Sequence, residues 1–544
     1  MHPSVLLPLV LILSGCSYAL PEVQIYNTTI SGRSVPELQE EFFGNIPFAE
    51  PPVGELRFAP PVNKLDPGVA SLNATQYGAA CAQLAGFGSN SSLVEDCLTL
   101  NILRPANVNS STNPVPVLLW VYGGAFQNGQ AYTYDGSLLV AQSVERGTPI
   151  VYVSVNYRVG PFGYPQGHEA EAQGALNLGH KDVVSALTWV QQNIAAFGGD
   201  ENQITVAGVS AGAVILSHLT LDPQFNLARA AIFESGSPAT VSVTNATARE
   251  QAWQTLVANV PECAGATPNN TFSCLRSAST ETIVNATAQV NPFSVAFRPV
   301  IDGPGGVLPD LPSKLYAGGR VPIVPFITGD TLDEGTFFVP TNLNTTEEAR
   351  QFVVGSIISA TASAEDQTRI ADKILEFYPD DPTLGSPYGT GNETFGLGLQ
   401  YKRLSAVAGD VEFQSLRRQL AQVASEKGVK VHAYLFTDKQ LQPELAYLGV
   451  YHGAEVAYVF GAPPNGPPAE ALSDNIIDYW VSFVTSLDPN DGLGNSSRPT
   501  WAQYTTSSEQ NVIQFDSTNL TMIPDTYRQE QIAFLIDQGA LLDH

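Results

Sequence analysis

The sequence predicts an α/β fold with one large, mostly parallel sheet flanked by helices. Three observations carry this. Apolar runs of strand length recur along the 544 residues, and a helix-periodic segment separates two of them. One run also ends in a glycine-flanked serine, VAGVSAGAV at 206–214, followed by a helix-like stretch.

Taken in order, VPVLLWVYGG (115–124) and PIVYVSVNY (149–157) are almost continuously apolar, as expected of central strands covered on both faces. In DVVSALTWVQQNIAAF (182–197), Val183, Leu187, Val190, Ile194 and Phe197 recur at helical spacing, and Gly198-Gly199 provides a stop. ITVAGV (204–209) is the next strand and AGAVILSHL the next helix. RAAIFESG (229–236), VPIVPFITG (321–329) and KVHAYLF (430–436) complete the strand set. The β-α-β order implies parallel pairing through right-handed crossovers. Segments around 255–300 and 340–410 read as loop-rich excursions from a single large domain spanning 20–544.

Residues 1–19 have an apolar run from Val5 to Leu13 and small residues at Ser17 and Ala19. They read as a signal peptide cut after Ala19. Leu13-Ser14-Gly15-Cys16 also spells a lipoprotein box. Against that stand eleven Asn-x-Ser/Thr sequons, at Asn27, Asn73, Asn90, Asn109, Asn245, Asn269, Asn285, Asn344, Asn392, Asn495 and Asn519. No later run suits a membrane span, so a secreted, extracellular glycoprotein is expected. Cys81, Cys97, Cys263 and Cys274 remain after removal of Cys16. The local pairing, Cys81 with Cys97 and Cys263 with Cys274, is the expected one of three. Twenty-five basic against fifty-two acidic residues give a net charge of −27, which disfavours nucleic acid as a partner.

The serine explains its glycines. A side chain on so sharp a strand-to-helix turn takes a strained backbone, and bulk two residues to either side would collide across it. The turn presents the Ser210 hydroxyl beside helix-start amides, as a nucleophile requires. Its base is best sought after it in the chain. His168 and His180 precede it, His218 lies in the following helix, His432 sits in an apolar strand and His544 is terminal. His452, in GVYHGAEVAYVFG, is the strongest candidate. Asp330, Asp333 and Glu334 in GDTLDEGTFF could each orient it, and spacing does not choose among them. WVYGGAF places small residues, Gly123, Gly124 and Ala125, at a strand end. There their N–H groups, with that of Ala211, could hold an oxyanion.

These residues resemble the type-B carboxylesterase/lipase family. FGNIPFAEPPVGELRF, EDCLTLNI, NYRVGPFGY, FGGDENQITVAGVSAG, ESGSP, VIDG, DEGTFF and YHGAE follow in family order from about residue 42 to 500. The resemblance implies the α/β-hydrolase fold, no cofactor or metal, and acyl transfer through an acyl-enzyme. It implies Ser210 as nucleophile, Glu334 as the acid, His452 as base, and Gly124, Ala125 and Ala211 as oxyanion donors. It also implies the disulfides Cys81–Cys97 and Cys263–Cys274, an Arg57–Glu95 ion pair, and Ser235 as a buried hydroxyl near acid and base. Three departures bear on substrate. Val209 replaces the usual Glu before the nucleophile, removing a buried carboxylate. No tryptophan lies between Cys81 and Cys97 to hold a quaternary ammonium, so a choline ester is not expected. That loop has fifteen residues between its cysteines, against the longer amphipathic lid of interfacial lipases, and is polar with a sequon at Asn90. The expectation is an esterase for dissolved or small esters, with Phe293, Phe297 and Phe338 lining the pocket. A lipase, a sterol-ester hydrolase or a feruloyl-type esterase is the alternative, and a non-catalytic adhesion module the remote one.

Overall fold

The computed structural model describes residues 20–544 apart from 87–88, 107, 109–112, 291–295, 496 and 507–509. The expected signal peptide, Asn109 and Phe293 therefore lie outside the described residues.

Fourteen strands are described. They are β1 (Glu22–Ile25), β2 (Thr28–Ser31), β3 (Arg33–Val35), β4 (Glu40–Pro47), β5 (Ser71–Asn73), β6 (Thr99–Pro105) and β7 (Val115–Val121), followed by β8 (Val151–Val155), β9 (Gly199–Val209), β10 (Ala230–Glu234), β11 (Phe326–Thr331), β12 (Val431–Phe436), β13 (Asn511–Phe515) and β14 (Thr521–Pro524). Eleven form one sheet in the order β14-β13-β12-β11-β10-β9-β7-β8-β6-β4-β3, and β1-β2-β5 form a small second sheet. From β8 through β13 every pairing is parallel. The edges are antiparallel, with β3, β4 and β6 at one end and β14 at the other. All six sequence-predicted strands are present. The antiparallel strands β4 (EEFFGNIP) and β6 (TLNILRP) are largely buried, but polar residues and a glycine interrupt their apolar runs, so they carry no continuous apolar signal.

The strands alternate their side chains between two cores. Val117, Leu119 and Val121 of β7 pack with Val183, Leu187 and Val190 of the helix Leu178–Asn193. Leu118 and Trp120 face Leu139, Ile476 and Trp480 on the other side. Each such buried side chain contributes about 1.5–3 kcal/mol. The helix yields to a 3-10 turn at Ile194–Phe197, and Gly198 (φ 86°) takes the left-handed conformation that ends it.

The excursions are more helical than their composition suggests. They contain the helices Ala246–Ala258, Thr271–Ser277 and Thr280–Thr287, then Thr346–Phe352, Ala364–Phe377 and Tyr401–Gly409. Residues that resemble loop formers are N-caps here. The side chains of Asn245, Ser279, Thr345 and Ser363 each accept an N–H three residues on. The second excursion has its own apolar cluster, including Val353, Ile370, Ile374, Leu404 and Val407.

Disulfides join Cys81 to Cys97 and Cys263 to Cys274. Arg57 donates to Glu95 through Nε (2.8 Å) and Nη2 (2.6 Å), and its Nη1 reaches the carbonyls of Leu275 and Ala278, both at 2.7 Å. All ten described sequon asparagines are exposed. Among the described residues no helix is long and apolar enough to cross a membrane.

Candidate active site

The site lies at the carboxyl ends of β7, β9, β10, β11 and β12, where neighbouring parallel strands release their loops. Ser210 follows β9 with φ 55° and ψ −126°, a conformation costing about 1–3 kcal/mol. The flanking glycines serve a closer contact than a collision across the turn alone. A Cβ on Gly208 would stand 2.6 Å from the Val121 carbonyl oxygen and 3.0 Å from the Gly212 carbonyl carbon. On Gly212 it would meet the carbonyl oxygens of Val121 at 2.1 Å and Tyr122 at 2.6 Å. The turn is thus pressed against the end of β7. Gly123 is pressed back against it, since a Cβ there would lie 2.8 Å from Ser210 Cβ.

The end of β10 holds both halves of the site together. The Ser210 N–H donates to the Glu234 carbonyl at 2.8 Å. The next residue, Ser235, donates its hydroxyl to Glu334 Oε1 at 2.7 Å. Glu334 is fully buried, also accepts the Thr331 N–H at 2.6 Å, and binds His452 Nδ1 through Oε2 at 2.5 Å. An ionised carboxylate only accepts, so Nδ1 carries the imidazole proton and Nε2 is left as an acceptor. His452 Nε2 is buried and has no partner among the described residues, and no hydrogen bond to the Ser210 hydroxyl is present. Phe413 and Phe338 pack on the ring, with centroids at 4.8 and 5.2 Å.

Tertiary contacts separate the three acids that spacing left equivalent. Asp333 accepts from Ser386 Oγ (2.7 Å), Tyr388 N–H (2.9 Å) and Val450 N–H (2.9 Å), bracing the loop that carries His452. Asp330 stands 3.5 Å from Arg417 Nε. Glu334 alone reaches the imidazole. Among the other histidines, His180 and His218 form a stacked buried pair (Nε2 to Nδ1 3.1 Å), His432 is buried in β12, His544 meets the Ala239 carbonyl, and His168 is exposed.

Burial lowers the His452 pKa, but the Glu334 charge and hydrogen bond, then Glu455 and Glu412, outweigh it and leave the imidazole above its usual 6.5. Val209 does sit in an apolar cluster, yet the site keeps buried carboxyls that sequence reading passed over. Burial, then the Glu334 charge, pushes Glu455 up to about 7. Its Oε1 accepts from Ser235 Oγ and Tyr434 OH, both at 3.2 Å. Glu412 is pushed to about 7 by burial, against the pull of Arg298 and His452. Glu234 is raised by burial and by Glu455, with Trp480 Nε1 donating to it at 2.9 Å. Glu455 and Glu234 stand inside YHGAE and ESGSP, so the signal was present in the quoted motifs.

The loop after β7 turns through three left-handed residues, Gly124 (φ 112°), Ala125 (φ 54°) and Phe126 (φ 63°). Among the described residues the N–H groups of Gly124, Ala125 and Ala211 have no acceptor. Ala211 begins the helix Ala211–Thr220, whose dipole adds to its donor strength.

A cavity of about 1260 Å³ adjoins this loop, lined by Leu84, Gln127, Val284, Phe297, Phe338 and Leu343 among others. Phe297 and Phe338 line it as expected. The loop between Cys81 and Cys97 is clipped by antiparallel bridges Gln83–Ser92 and Gly86–Ser89. It is further held by Gln83 Oε1, which accepts the Gly129 N–H at 2.7 Å. A second recess of about 540 Å³, beside Lys181, Phe225 and Asp302, contains none of the site residues. Among the described residues no three His, Cys, Asp or Glu side chains are grouped to hold a metal ion.

The family described as "Carboxylesterase family" matches residues 19–535. Lipase 2 of Geotrichum candidum is 32% identical over 552 residues, covering 93% of each chain. Secreted lipase 1 of Botryotinia fuckeliana is 34% identical over 508 residues, covering 86% of this chain and 85% of that one. The crystal structure of Aspergillus niger EstA superposes with a TM-score of 0.83 at 24% identity, covering 97% of this chain and 99% of that one, which speaks for the fold.

Proposed function

The chain belongs to the carboxylesterase family and is a carboxylic ester hydrolase, and from that premise we propose that it works through a Ser210–His452–Glu334 triad and a covalent acyl-enzyme. The observation that carries this is the end of β10. There Glu234 holds the strained Ser210 backbone, and Ser235 holds the carboxylate that orients His452. Ser210 Oγ attacks the ester carbonyl as His452 Nε2 takes its proton. The N–H groups of Gly124, Ala125 and Ala211 receive the charge on the carbonyl oxygen, each worth about 3 kcal/mol. His452 then protonates the leaving alcohol, and water repeats the sequence to release the acid. Glu334 keeps Nδ1 protonated throughout.

The substrate class is a dissolved ester with a sizeable apolar acyl or alcohol group. The cavity supplies the room, and the loop at its edge is short and clipped by two bridges. A lipase is the second reading, favoured by relatives named lipases and by a cavity large enough for a long chain. Secretion after removal of residues 1–19 is part of the proposal. It is supported by ten exposed sequons, two disulfides and a relative named as secreted.

The test is the initial rate on p-nitrophenyl esters from acetate to palmitate, below and above their solubility limits, for the wild type and Ser210→Ala. Loss of turnover in Ser210→Ala supports the nucleophile, and retained turnover refutes it. A maximum with dissolved esters and no jump on aggregation marks the esterase. A long-chain maximum that rises at the interface marks the lipase.

A further inference from the structure

We infer that Gln127, which no triad or oxyanion role accounts for, is a positioning residue that straps the oxyanion loop to the cavity wall and keeps its donors facing the substrate. This rests on the acyl-transfer reading above. Gln127 is half-buried one residue beyond the left-handed pair Ala125–Phe126. A loop of three left-handed residues, two of them not glycine, persists only where its surroundings over-determine it.

The restraints are specific to the two peptide planes that matter. The Gly124 carbonyl and the Ala125 N–H belong to one trans peptide and point in opposite directions. That carbonyl accepts the backbone N–H groups of Gln127 (3.0 Å) and Asn128 (3.2 Å), which turns the Ala125 N–H away from them. The following peptide carries the Ala125 carbonyl, and Gln127 Nε2 donates to it at 3.3 Å. The same Nε2 donates to the Phe297 carbonyl, so both amide protons are used, and among the described residues neither carbonyl has another donor. Behind Phe297 the wall is held in turn. Gln166 Nε2 donates to the carbonyls of Ala296 (2.8 Å) and Arg298 (3.3 Å). Beyond Ala125, the Phe126 carbonyl accepts the Gly160 N–H at 2.6 Å, anchoring the far end of the loop.

The side-chain amide is therefore the link between the cavity wall at Phe297 and a carbonyl of the strained loop that has no other donor among the described residues. Without it the Ala125–Phe126 peptide loses its side-chain anchor and the loop can relax toward right-handed φ, which swings the Ala125 N–H off the oxyanion. The loss falls on the transition state, because the ground-state ester needs the cavity more than the donors.

Gln127→Ala and the near-isosteric Gln127→Met are compared with the wild type on one dissolved p-nitrophenyl ester. Thermal midpoints are recorded for each, and a trifluoromethyl ketone serves as the tetrahedral mimic. The expected result is a fall in kcat of about tenfold to a hundredfold with KM within about twofold. Affinity for the ketone should fall by the same factor, and Gln127→Asn should recover part of both. If either folded variant keeps kcat and ketone affinity, or raises KM alone, Gln127 is only cavity wall and the inference is overturned. If Ser210→Ala stays active, the acyl-transfer reading itself has failed, and the two failures are distinguishable.

Discussion

Replacing Glu334 by Gln tests the proposed chemistry most sharply, because the structure dictates which way the amide must face. Glu334 Oε1 accepts the Thr331 N–H at 2.6 Å and the Ser235 hydroxyl at 2.7 Å, and both are donors in a fully buried pocket. Turning the Gln NH2 that way would set it against the Thr331 N–H, which can only donate, so the carbonyl oxygen must take that place. The NH2 group then faces His452 Nδ1, which must accept, and the ring proton moves to Nε2. A protonated Nε2 cannot take the Ser210 proton. The same wrong-tautomer error in an Asp-to-Asn triad variant costs about 10⁴ in kcat, or roughly 5 kcal/mol of barrier. We expect that loss here, with the thermal midpoint little changed. The pH profile gives a second readout. In the wild type the base must be neutral, so activity falls as pH drops through a midpoint above 6.5, the direction set by Glu334, Glu455 and Glu412 over burial. Without the Glu334 charge the residual activity should keep its acid limb to a lower pH. The assay is kcat on a dissolved p-nitrophenyl ester from pH 5 to 9. A variant within about tenfold of wild type, or a limb moved to higher pH, would falsify the tautomer argument.

Gly212→Ala should lower the thermal midpoint and abolish turnover together, because its Cβ would sit 2.1 Å from the Val121 carbonyl oxygen at the base of the serine turn; a stable, active variant would show that the turn can give way. His432→Phe should gain stability relative to wild type only in acid. Burial, partly opposed by Asp488, holds the His432 pKa down to about 4, while the unfolded chain titrates near 6.5. Wild type therefore loses up to about 3 kcal/mol between those values that the variant keeps, with no gain above about pH 7; urea midpoints at pH 7.5 and 4.5 read the difference. Arg57→Ala should cost about 3–5 kcal/mol by leaving buried Glu95 unpaired and freeing two carbonyls of the 275–278 segment. Glu95→Gln alongside it in a double-mutant cycle should show strong coupling, and additive effects would contradict the pairing. Glycopeptide mass spectrometry of the protein from its own host should find sugar on a subset of the ten exposed sequons, and sugar on none would speak against the secretory route.

What the sequence determined by itself were the features set by the chain's own neighbours. Continuous apolar runs marked the central strands because a strand covered on both faces has no polar side. The two glycines marked Ser210 as the apex of a sharp strand-to-helix turn, but the carbonyls of Val121 and Tyr122 that leave no room for a Cβ at Gly212 are brought there by β7. His452 could be preferred from chain order, and short separations favoured the disulfide pairs. The tertiary structure decided everything that depends on which distant segment arrives. Asp330, Asp333 and Glu334 are alike in sequence. They differ only because Arg417 meets the first, Ser386, Tyr388 and Val450 surround the second, and His452 meets the third. The antiparallel strands β4 and β6, whose apolar runs are interrupted by polar residues, needed their partners to be recognised. The capped helices of the two excursions needed the apolar clusters they pack into. Gln127 carries no signal in its own stretch of chain, since the Phe297 carbonyl it holds lies 170 residues away. Local backbone sterics act over a few residues and leave a pattern in the sequence, whereas a buried polar group acquires its role from whichever partner the fold brings within 3 Å.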